Sequence, residues 1–220
     1  MSIFAVVKSA CEAVLDAVMP LSERAARTKA RSAEEIPLSP TVHDLLRVQI
    51  TTLMEYQNTA VQDLIRSLKY DGSGHAAHLA ATLLADYLRE EIDSQRTFSQ
   101  KNILIVPVPL HKSRARERGF NQIEIVARAL PREFLDGTLS RLGEHLLERT
   151  RETKQQTRLS RSERLSNVAG AFALAEGADV KKSHIFLIDD VTTTGATLAN
   201  AATPLRKAGA EVTLLALARA

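Results

Sequence analysis

The stretch from His184 to Thr197, HIFLIDDVTTTGAT, constrains the fold of this chain more than any other. Its apolar run from Ile185 to Ile188 is typical of a strand buried on both faces of a parallel sheet. An Ala- and Leu-rich run from Thr197 to Ala208 follows and predicts a helix. Open α/β sheets bind anionic ligands where the carboxyl end of a buried strand meets the N-terminus of the next helix. The stretch therefore predicts an anion site.

The residue types of the loop favour a phosphate as that anion. Threonine hydroxyls and backbone amides are donors, and Gly195 has no Cβ to keep an oxyanion away from the main chain. The alternative is that these residues only cap a helix after a core strand. The predicted phosphate-binding residues are Thr192, Thr193, Thr194, Gly195, Ala196 and Thr197.

Two carboxylates precede the threonines and would repel the same phosphate at contact distance. We expect Asp189 and Asp190 at the exposed end of the strand, where acceptor-only groups suit the paired hydroxyls of a ribose. Together with the loop they predict a site for ribose 5-phosphate. Other phosphate-binding motifs fit less well, because the chain has no Gly-Lys-Ser/Thr and no Gly-x-Gly-x-x-Gly after a strand.

Length and composition indicate one sizeable α/β domain with a small N-terminal appendage. The chain has 220 residues, of which 45% are hydrophobic. Its net charge of +3 is too small to indicate nucleic-acid binding by itself. Residues 1–40 predict a helix (Ile3 to Val18) and a linker (Pro20 to Pro40), and residues 41–220 the main domain. Charged residues interrupt the apolar start, so we expect a cytoplasmic protein without a membrane span.

A second buried strand is predicted from Asn102 to Pro109, ending at two prolines. Cations cluster just beyond it and could meet a second anionic group, although a solvated charge run at a helix start is the alternative. These cations are Lys112, Arg114, Arg116 and Arg118. Further helices are predicted at Asn58 to Lys69, His75 to Ile92 and Asn121 to Leu130, and further strands at Leu146 to Thr150, Ala169 to Leu174 and Glu211 to Leu217.

The polar segment from Arg151 to Asn167 has no glycine and no apolar period. Such a segment could close over a ligand and supply cations only in the closed state. The alternative is an ordinary surface loop.

Three blocks of the sequence together resemble the ComF family of proteins with the type I phosphoribosyltransferase fold. The first joins VPVPLH from Val106 with RGFNQ from Arg118, and the second is QTRLS from Gln156 with Arg164 and Asn167. The third is the loop from Asp189 to Thr197, which is similar to the motif that binds phosphoribosyl diphosphate (PRPP). The resemblance spans roughly 57–220. Many relatives carry a cysteine-rich zinc module near the start, but residues 21–40 contain no cysteine, so we expect that module to be lost or replaced.

The resemblance implies an α/β fold with a mostly parallel central sheet flanked by helices, plus an N-terminal helical extension. It also implies roles for two further groups of residues. Pyrophosphate would be bound by Pro109, Leu110, His111, Lys112 and Arg114. Catalytic residues would be Asp189, Asp190, Arg151 and Lys154, with Mg²⁺ held mainly by PRPP and water rather than by protein ligands.

The function implied is Mg-dependent transfer of ribose 5-phosphate from PRPP to an unidentified nucleobase or amine, with release of pyrophosphate. The acceptor would be recognised by a hood formed by the helices before Ile103 or by the region from Pro131 to Leu147. One alternative is a non-catalytic PRPP-binding or competence-associated protein. A second alternative, a protein that binds single-stranded DNA, fits less well, because such sites rely on aromatic stacking and the chain has only 4% aromatic residues and no tryptophan. A homodimer, DNA and DNA-uptake proteins stay open as partners.

Overall fold

A computed structural model describes most of the chain. The described residues are 22–98, 101–110, 113, 116, 119–150 and 170–220. The predicted helix from Ile3 to Val18 and the segment from Arg151 to Asn167 lie outside them.

Among the described residues, a six-stranded sheet forms the centre of the fold, in the order β1-β2-β8-β7-β3-β4. Only the pairing of β1 with β2 is antiparallel, and the other four pairings are parallel. The short strands β5 and β6 form a separate antiparallel pair. The strands are β1 (Thr41–Leu45), β2 (Val48–Glu55), β3 (Asn102–Pro107), β4 (Arg141–Leu142), β5 (Leu147–Arg149), β6 (Phe172–Leu174), β7 (Ser183–Thr192) and β8 (Glu211–Arg219).

Helices cover both faces of the sheet. They are α1 (Glu23–Lys29), α2 (Thr59–Arg66), α3 (Gly74–Phe98), α4 (Gln122–Arg128) and α5 (Ala196–Lys207), with short 3-10 turns at Ala33–Glu35 and Arg132–Phe134 and a π-helical turn at Ser67–Asp71. Asparagine side chains cap the N-termini of α2 and α4. Asn58 Oδ1 accepts from Ala60 N at 2.8 Å, and Asn121 Oδ1 accepts from Ile123 N at 3.3 Å. The predicted α/β class with a mostly parallel sheet is confirmed.

Strand β7 separates two hydrophobic clusters because its side chains alternate between the faces. Phe186 and Ile188 pack with the helices α2, α3 and α4 on one face. Ile185 and Leu187 pack with α5 on the other. All four side chains are fully buried, so the strand is apolar on both faces as its sequence indicated.

The predicted linker from Pro20 to Pro40 is wrong for its described part, which folds and packs against the domain. Helix α1 begins at Glu23, after Ser22, whose hydroxyl accepts from Ala25 N. Arg27 and Arg31 both pair with the buried Asp63 of α2, at 2.9 and 3.0 Å. Charge pairs anchor this segment, which is why its lack of apolar periodicity misled the prediction. Where a domain boundary falls stays a prediction.

The first hairpin brings β2 into the sheet, where it pairs in parallel with β8. Its turn places Leu46 and Arg47 at φ 54° and 64°, in the left-handed region that non-glycine residues rarely adopt. Strand β2 carries the fully buried Ile50, Leu53 and Met54.

Among the described residues, no helix combines the length and apolarity needed to cross a membrane.

Candidate functional site at the carboxyl end of the central strand

The predicted phosphate loop lies between β7 and α5. Gly195 is the N-cap of α5 and has φ 78°, a left-handed conformation that permits the sharp turn from strand to helix. Ala196 N donates to Thr194 Oγ1 at 3.4 Å, so one threonine hydroxyl supports the turn itself. The amides of the first helical turn lack partners within the helix and give its N-terminus a partial positive charge. The geometry suits an anion.

Gly195 also touches the first hairpin. A Cβ on this residue would lie 2.6 Å from Ile50 Cδ1 and 3.0 Å from Leu45 Cβ. Ile50 Cδ1 ends a side chain that can shift, but Leu45 Cβ is fixed to the backbone, so a methyl group here would crowd the first hairpin. The loop is therefore held against β1 and β2, and packing as well as conformation favours glycine.

The two carboxylates of the motif point to opposite faces, since β7 continues as a strand to Thr192. Asp189 shares its face with Leu187 and is partly exposed. Asp190 shares its face with Ile188 and is only 6% exposed. The expectation that both acids lie at the exposed end of the strand is thus wrong for Asp190, because β7 extends beyond the apolar run.

Asp190 is held by three donors. Lys69 Nζ, from the π-helical turn, lies 3.1 Å from Oδ2, and Gln122 Nε2, from the first residue of α4, donates to the same oxygen at 2.6 Å. The other oxygen accepts from Val191 N at 2.6 Å. A buried carboxylate requires such compensation, and here two helical elements supply it.

Asp189 has a different environment. Partial burial and, after it, the neighbouring charge of Asp190 together raise the pKa of Asp189 from its ordinary 3.8 to about 7. The hydrogen bond from Asp190 N, at 2.9 Å, and the charges of Lys69 and Arg149 act in the opposite direction. A carboxylate so poised can exchange a proton near neutral pH. Asp189 is also the more exposed of the two acids.

The predicted pyrophosphate segment begins at the neighbouring strand end. Pro107 pairs with Ile188, and Val108 N donates to Ile188 O at 2.8 Å, so β3 and β7 end at the same edge. Pro109 and Leu110 are half-buried there. Asn121 Nδ2 donates to Val108 O at 3.1 Å and ties α4 to the strand end. The predicted site residues His111, Lys112 and Arg114 lie outside the described residues.

The predicted catalytic cations Arg151 and Lys154 also lie outside the described residues. In the sequence they follow shortly after β5. The last residue of that strand, Arg149, is 9% exposed, and its guanidinium lies over the ring of Phe172, 5.3 Å from the centroid. Its charge acts on Asp189. Part of the predicted acceptor hood lines a cavity of about 460 Å³, formed by 142–146 and 175–178.

Sequence reasoning did not select Lys69 and Gln122 as site residues, although both contact Asp190. Lys69 lies in a π-helical turn, a feature frequent at functional sites. Gln122 lies in the RGFNQ block that carries part of the family resemblance. Only the signal of Gln122 was visible in the sequence, and it did not point to the carboxylate that Gln122 binds.

Comparison with curated proteins assigns the family, whereas no family model matches. "Competence protein F" of Haemophilus influenzae is 34% identical over 160 residues, which cover 71% of this chain and 67% of that protein. The chain belongs to the ComF family. "DNA utilization protein YhgH" of Escherichia coli is 32% identical over 163 residues, covering 74% of this chain and 67% of that protein. "Competence protein ComFC" of Streptococcus pneumoniae is 34% identical over 154 residues, and the match spans only 60% of its length.

Solved structures give more distant similarities. A phosphoribosyltransferase from Corynebacterium diphtheriae has a TM-score of 0.36 at 15% identity, over 88% of this chain and 81% of that chain. An adenine phosphoribosyltransferase from Leishmania tarentolae has a TM-score of 0.37 at 14% identity, over 77% and 91%. Scores this low support no finer comparison, so the assignment rests on the ComF relatives.

Proposed function

We propose that this ComF-family chain binds PRPP with Mg²⁺ and transfers its ribose 5-phosphate to a nucleobase or amine, releasing pyrophosphate. The observation that carries the proposal is the unit at the end of β7. There an acid pair, a threonine-rich loop and the glycine-capped start of α5 follow one another without interruption. This order suits a ligand with ribose hydroxyls on one side and a terminal phosphate on the other.

The 5-phosphate would lie against the N-terminus of α5. The main-chain amides from Thr193 to Thr197, and the threonine hydroxyls, supply donors around one anion, and the helix dipole adds a favourable field. Gly195 lets the phosphate approach the backbone. The ribose would lie toward Asp189 and Asp190, whose carboxylate oxygens accept from its hydroxyls.

The carboxylate oxygens of Asp189 and Asp190 also suit a Mg²⁺ ion carried by the substrate. Mg²⁺ prefers oxygen ligands and usually keeps several waters, so one or two carboxylates beside a diphosphate suffice. Among the described residues, no group of three or more His, Cys, Asp or Glu side chains could hold a metal alone. When bound, Mg²⁺ would offset the charge of the diphosphate.

In the transfer, the bond between C1 of the ribose and a pyrophosphate oxygen breaks, and both electrons leave with pyrophosphate. The acceptor nitrogen donates its lone pair to C1 and then loses a proton. Charge is stabilised at both ends, by acids near the oxocarbenium-like sugar and by cations near the leaving group. Lys112, Arg114, Arg151 and Lys154 are the proposed cations, and Pro109, Leu110 and His111 would complete the pyrophosphate segment.

A second candidate is a protein that binds PRPP without transferring it and acts in competence or DNA uptake. The names of the relatives favour this candidate, because they describe competence and DNA utilization. Both candidates use the same PRPP site and fit a cytoplasmic protein. They differ only in whether pyrophosphate is released.

Titration calorimetry with PRPP, with and without Mg²⁺, tests the shared site. Asp189→Asn should weaken PRPP binding by about 1 to 3 kcal/mol, the value of a hydrogen bond to a charged group. The exposed carboxylate of Asp86 pairs with Arg89 at 2.8 Å, away from the strand ends, so Asp86→Asn is a matched control. Equal affinity of Asp189→Asn and wild type would contradict the site.

A screen of nucleobases and amines for pyrophosphate release then separates the two candidates. Release with one acceptor class would support transfer. Tight PRPP binding without release for any acceptor would support the binding protein.

A further inference from the structure

One oxygen of Asp190 joins two segments that are distant in sequence. Oδ2 lies 3.1 Å from Lys69 Nζ and 2.6 Å from Gln122 Nε2. Lys69 belongs to the π-helical turn after α2, and Gln122 is the first residue of α4. The carboxylate is therefore the meeting point of β7, α4 and the turn.

We propose that Lys69 and Gln122 are positioning residues of the PRPP site, which fix the Asp190 carboxylate in the orientation that receives the ribose. The inference rests on the proposed function, because it assigns roles within the same site. It adds residues that neither the motif nor the predicted cations include.

The remaining acceptor capacity of Asp190 supports this role. An ionised carboxylate has about four lone-pair sites, and three donors already occupy Asp190: Lys69, Gln122 and Val191 N. The side chain is 9% exposed, so water cannot freely reorient it. The one lone pair of the Asp190 carboxylate that has no donor is thus fixed in direction before the ligand binds. Such preorganisation favours binding.

Gln122 also links the ribose end of the site to the pyrophosphate end. Its neighbour Asn121 caps α4 and donates to Val108 O at 3.1 Å, at the end of β3. Val108 N in turn bonds to Ile188 O at 2.8 Å. PRPP must contact the ends of both strands at once, so this closed set of contacts fixes the spacing that the ligand has to match.

Lys69 is aimed by a turn that α1 supports. Arg24 Nη2 lies 2.9 Å from Asp71 Oδ1 at one end of the turn, and Thr28 Oγ1 lies 3.2 Å from Ser67 Oγ at the other. Lys69 lies between these two contacts. Its ammonium group therefore approaches Asp190 from a backbone held on both sides.

The alternative is that Lys69 and Asp190 form a purely structural ion pair. A structural pair would affect unfolding but would not distinguish one ligand from another. A positioning pair should affect ligands that contain ribose and leave pyrophosphate unaffected, since in the proposed placement pyrophosphate would lie beyond the end of β3 and not at Asp190.

The test compares Lys69→Met, Lys69→Arg and Gln122→Met with wild type in the full chain. Affinities for PRPP, ribose 5-phosphate and pyrophosphate are measured by calorimetry with Mg²⁺, and folding by urea denaturation. Lys69→Met should weaken PRPP and ribose 5-phosphate about tenfold or more and leave pyrophosphate unchanged. Lys69→Arg should recover most of the loss. Gln122→Met introduces no uncompensated charge and should show a smaller loss with the same selectivity.

Lys207→Met, on an exposed position of α5, is the matched control and should bind all three ligands as wild type does. In an Asp190→Asn background, Lys69→Met should add little further loss, because the two residues act through one contact. A full additional loss would overturn the inference, as would Lys69→Met and Gln122→Met variants that fold and bind PRPP normally. A wild-type chain that binds no PRPP would overturn the proposed function and this inference with it. Normal wild-type binding with unaffected variants would overturn the inference alone.

Discussion

Replacing Gly195 by alanine should destabilise the chain more than the same replacement at Gly177. Both glycines have left-handed backbones, with φ 78° and 76°. They differ in their surroundings, since a Cβ at Gly195 would meet Ile50 Cδ1 at 2.6 Å and Leu45 Cβ at 3.0 Å, whereas nothing lies within 4 Å of a Cβ at Gly177. The pair separates backbone strain from packing.

The magnitude follows from two contributions. A left-handed conformation costs a non-glycine residue about 1 to 2 kcal/mol, and this applies equally to both variants. Forcing a methyl group into a packed core costs about 1 to 3 kcal/mol more, and this applies to Gly195→Ala alone. The free energy of unfolding should thus fall by about 2 to 5 kcal/mol in Gly195→Ala, and by about 1 to 2 kcal/mol in Gly177→Ala.

Urea denaturation measures the difference directly, and thermal unfolding should follow it with about 2 to 4 °C for each kcal/mol in a chain of this size. Gly195→Ala should also weaken PRPP binding, because relief of the contact with Ile50 moves the phosphate loop. Gly177→Ala should bind as wild type does. Equal destabilisation of the two variants would refute the close packing of the loop against the first hairpin.

Two further predictions concern the anchoring of α1 and the catalytic segment. Arg27 and Arg31 lower the pKa of Asp63 to about 2 from its usual 3.8, so the pair of contacts stabilises the fold above about pH 4 by about 2 kcal/mol and is lost as the pH falls toward 2. In urea denaturation, Asp63→Asn should be less stable at neutral pH and lose less stability on acidification. If transfer occurs, changing Arg151 and Lys154 to Ala should lower kcat by a large factor and leave PRPP affinity nearly unchanged, since charge that acts only in the transition state appears in kcat. A variant that turns over as fast as wild type would contradict that catalytic assignment.

The central part of the fold could be predicted because its physical signals are local. Strand β7 combines an apolar run with a glycine-containing loop and a helix start, all within consecutive residues. Strand β3 ends at prolines, which cannot continue a ladder of hydrogen bonds. The structure gives α5 as Ala196–Lys207, close to the predicted run from Thr197 to Ala208, whereas β7, at Ser183–Thr192, continues past the predicted apolar run into the motif.

Strand β2 was missed because its sequence lacks such signals. Thr52 is fully buried and polar, and its hydroxyl bonds to His43 Nε2 at 2.9 Å across the hairpin. The turn before β2 contains Leu46 and Arg47 where Asn or Gly would be expected. Pairing with β8 overrides both weaknesses, and such tertiary stabilisation leaves no trace in a local pattern.

The chemistry of the acid pair was predictable from the motif, but its geometry was not. Alternation along a strand already separates adjacent side chains, and only the length of β7 decides that Asp190 is buried. Its partners Lys69 and Gln122 come from other elements, and Gln122 is 68 residues away. No single stretch of sequence contains the contact.

The segment that composition marks as a linker therefore supports the candidate site from outside. Helix α1 contacts the π-helical turn through Arg24 and Thr28, and that turn carries Lys69 to Asp190. The anchoring pairs between Arg27, Arg31 and Asp63 hold α1 on α2, directly before the turn. Because each step is a direct contact between neighbouring side chains, loosening α1 should free the turn before it disturbs the sheet. The segment from Ser22 to Arg31 thus packs on the elements that hold the acid pair, and we expect its charges to stabilise the orientation of Lys69.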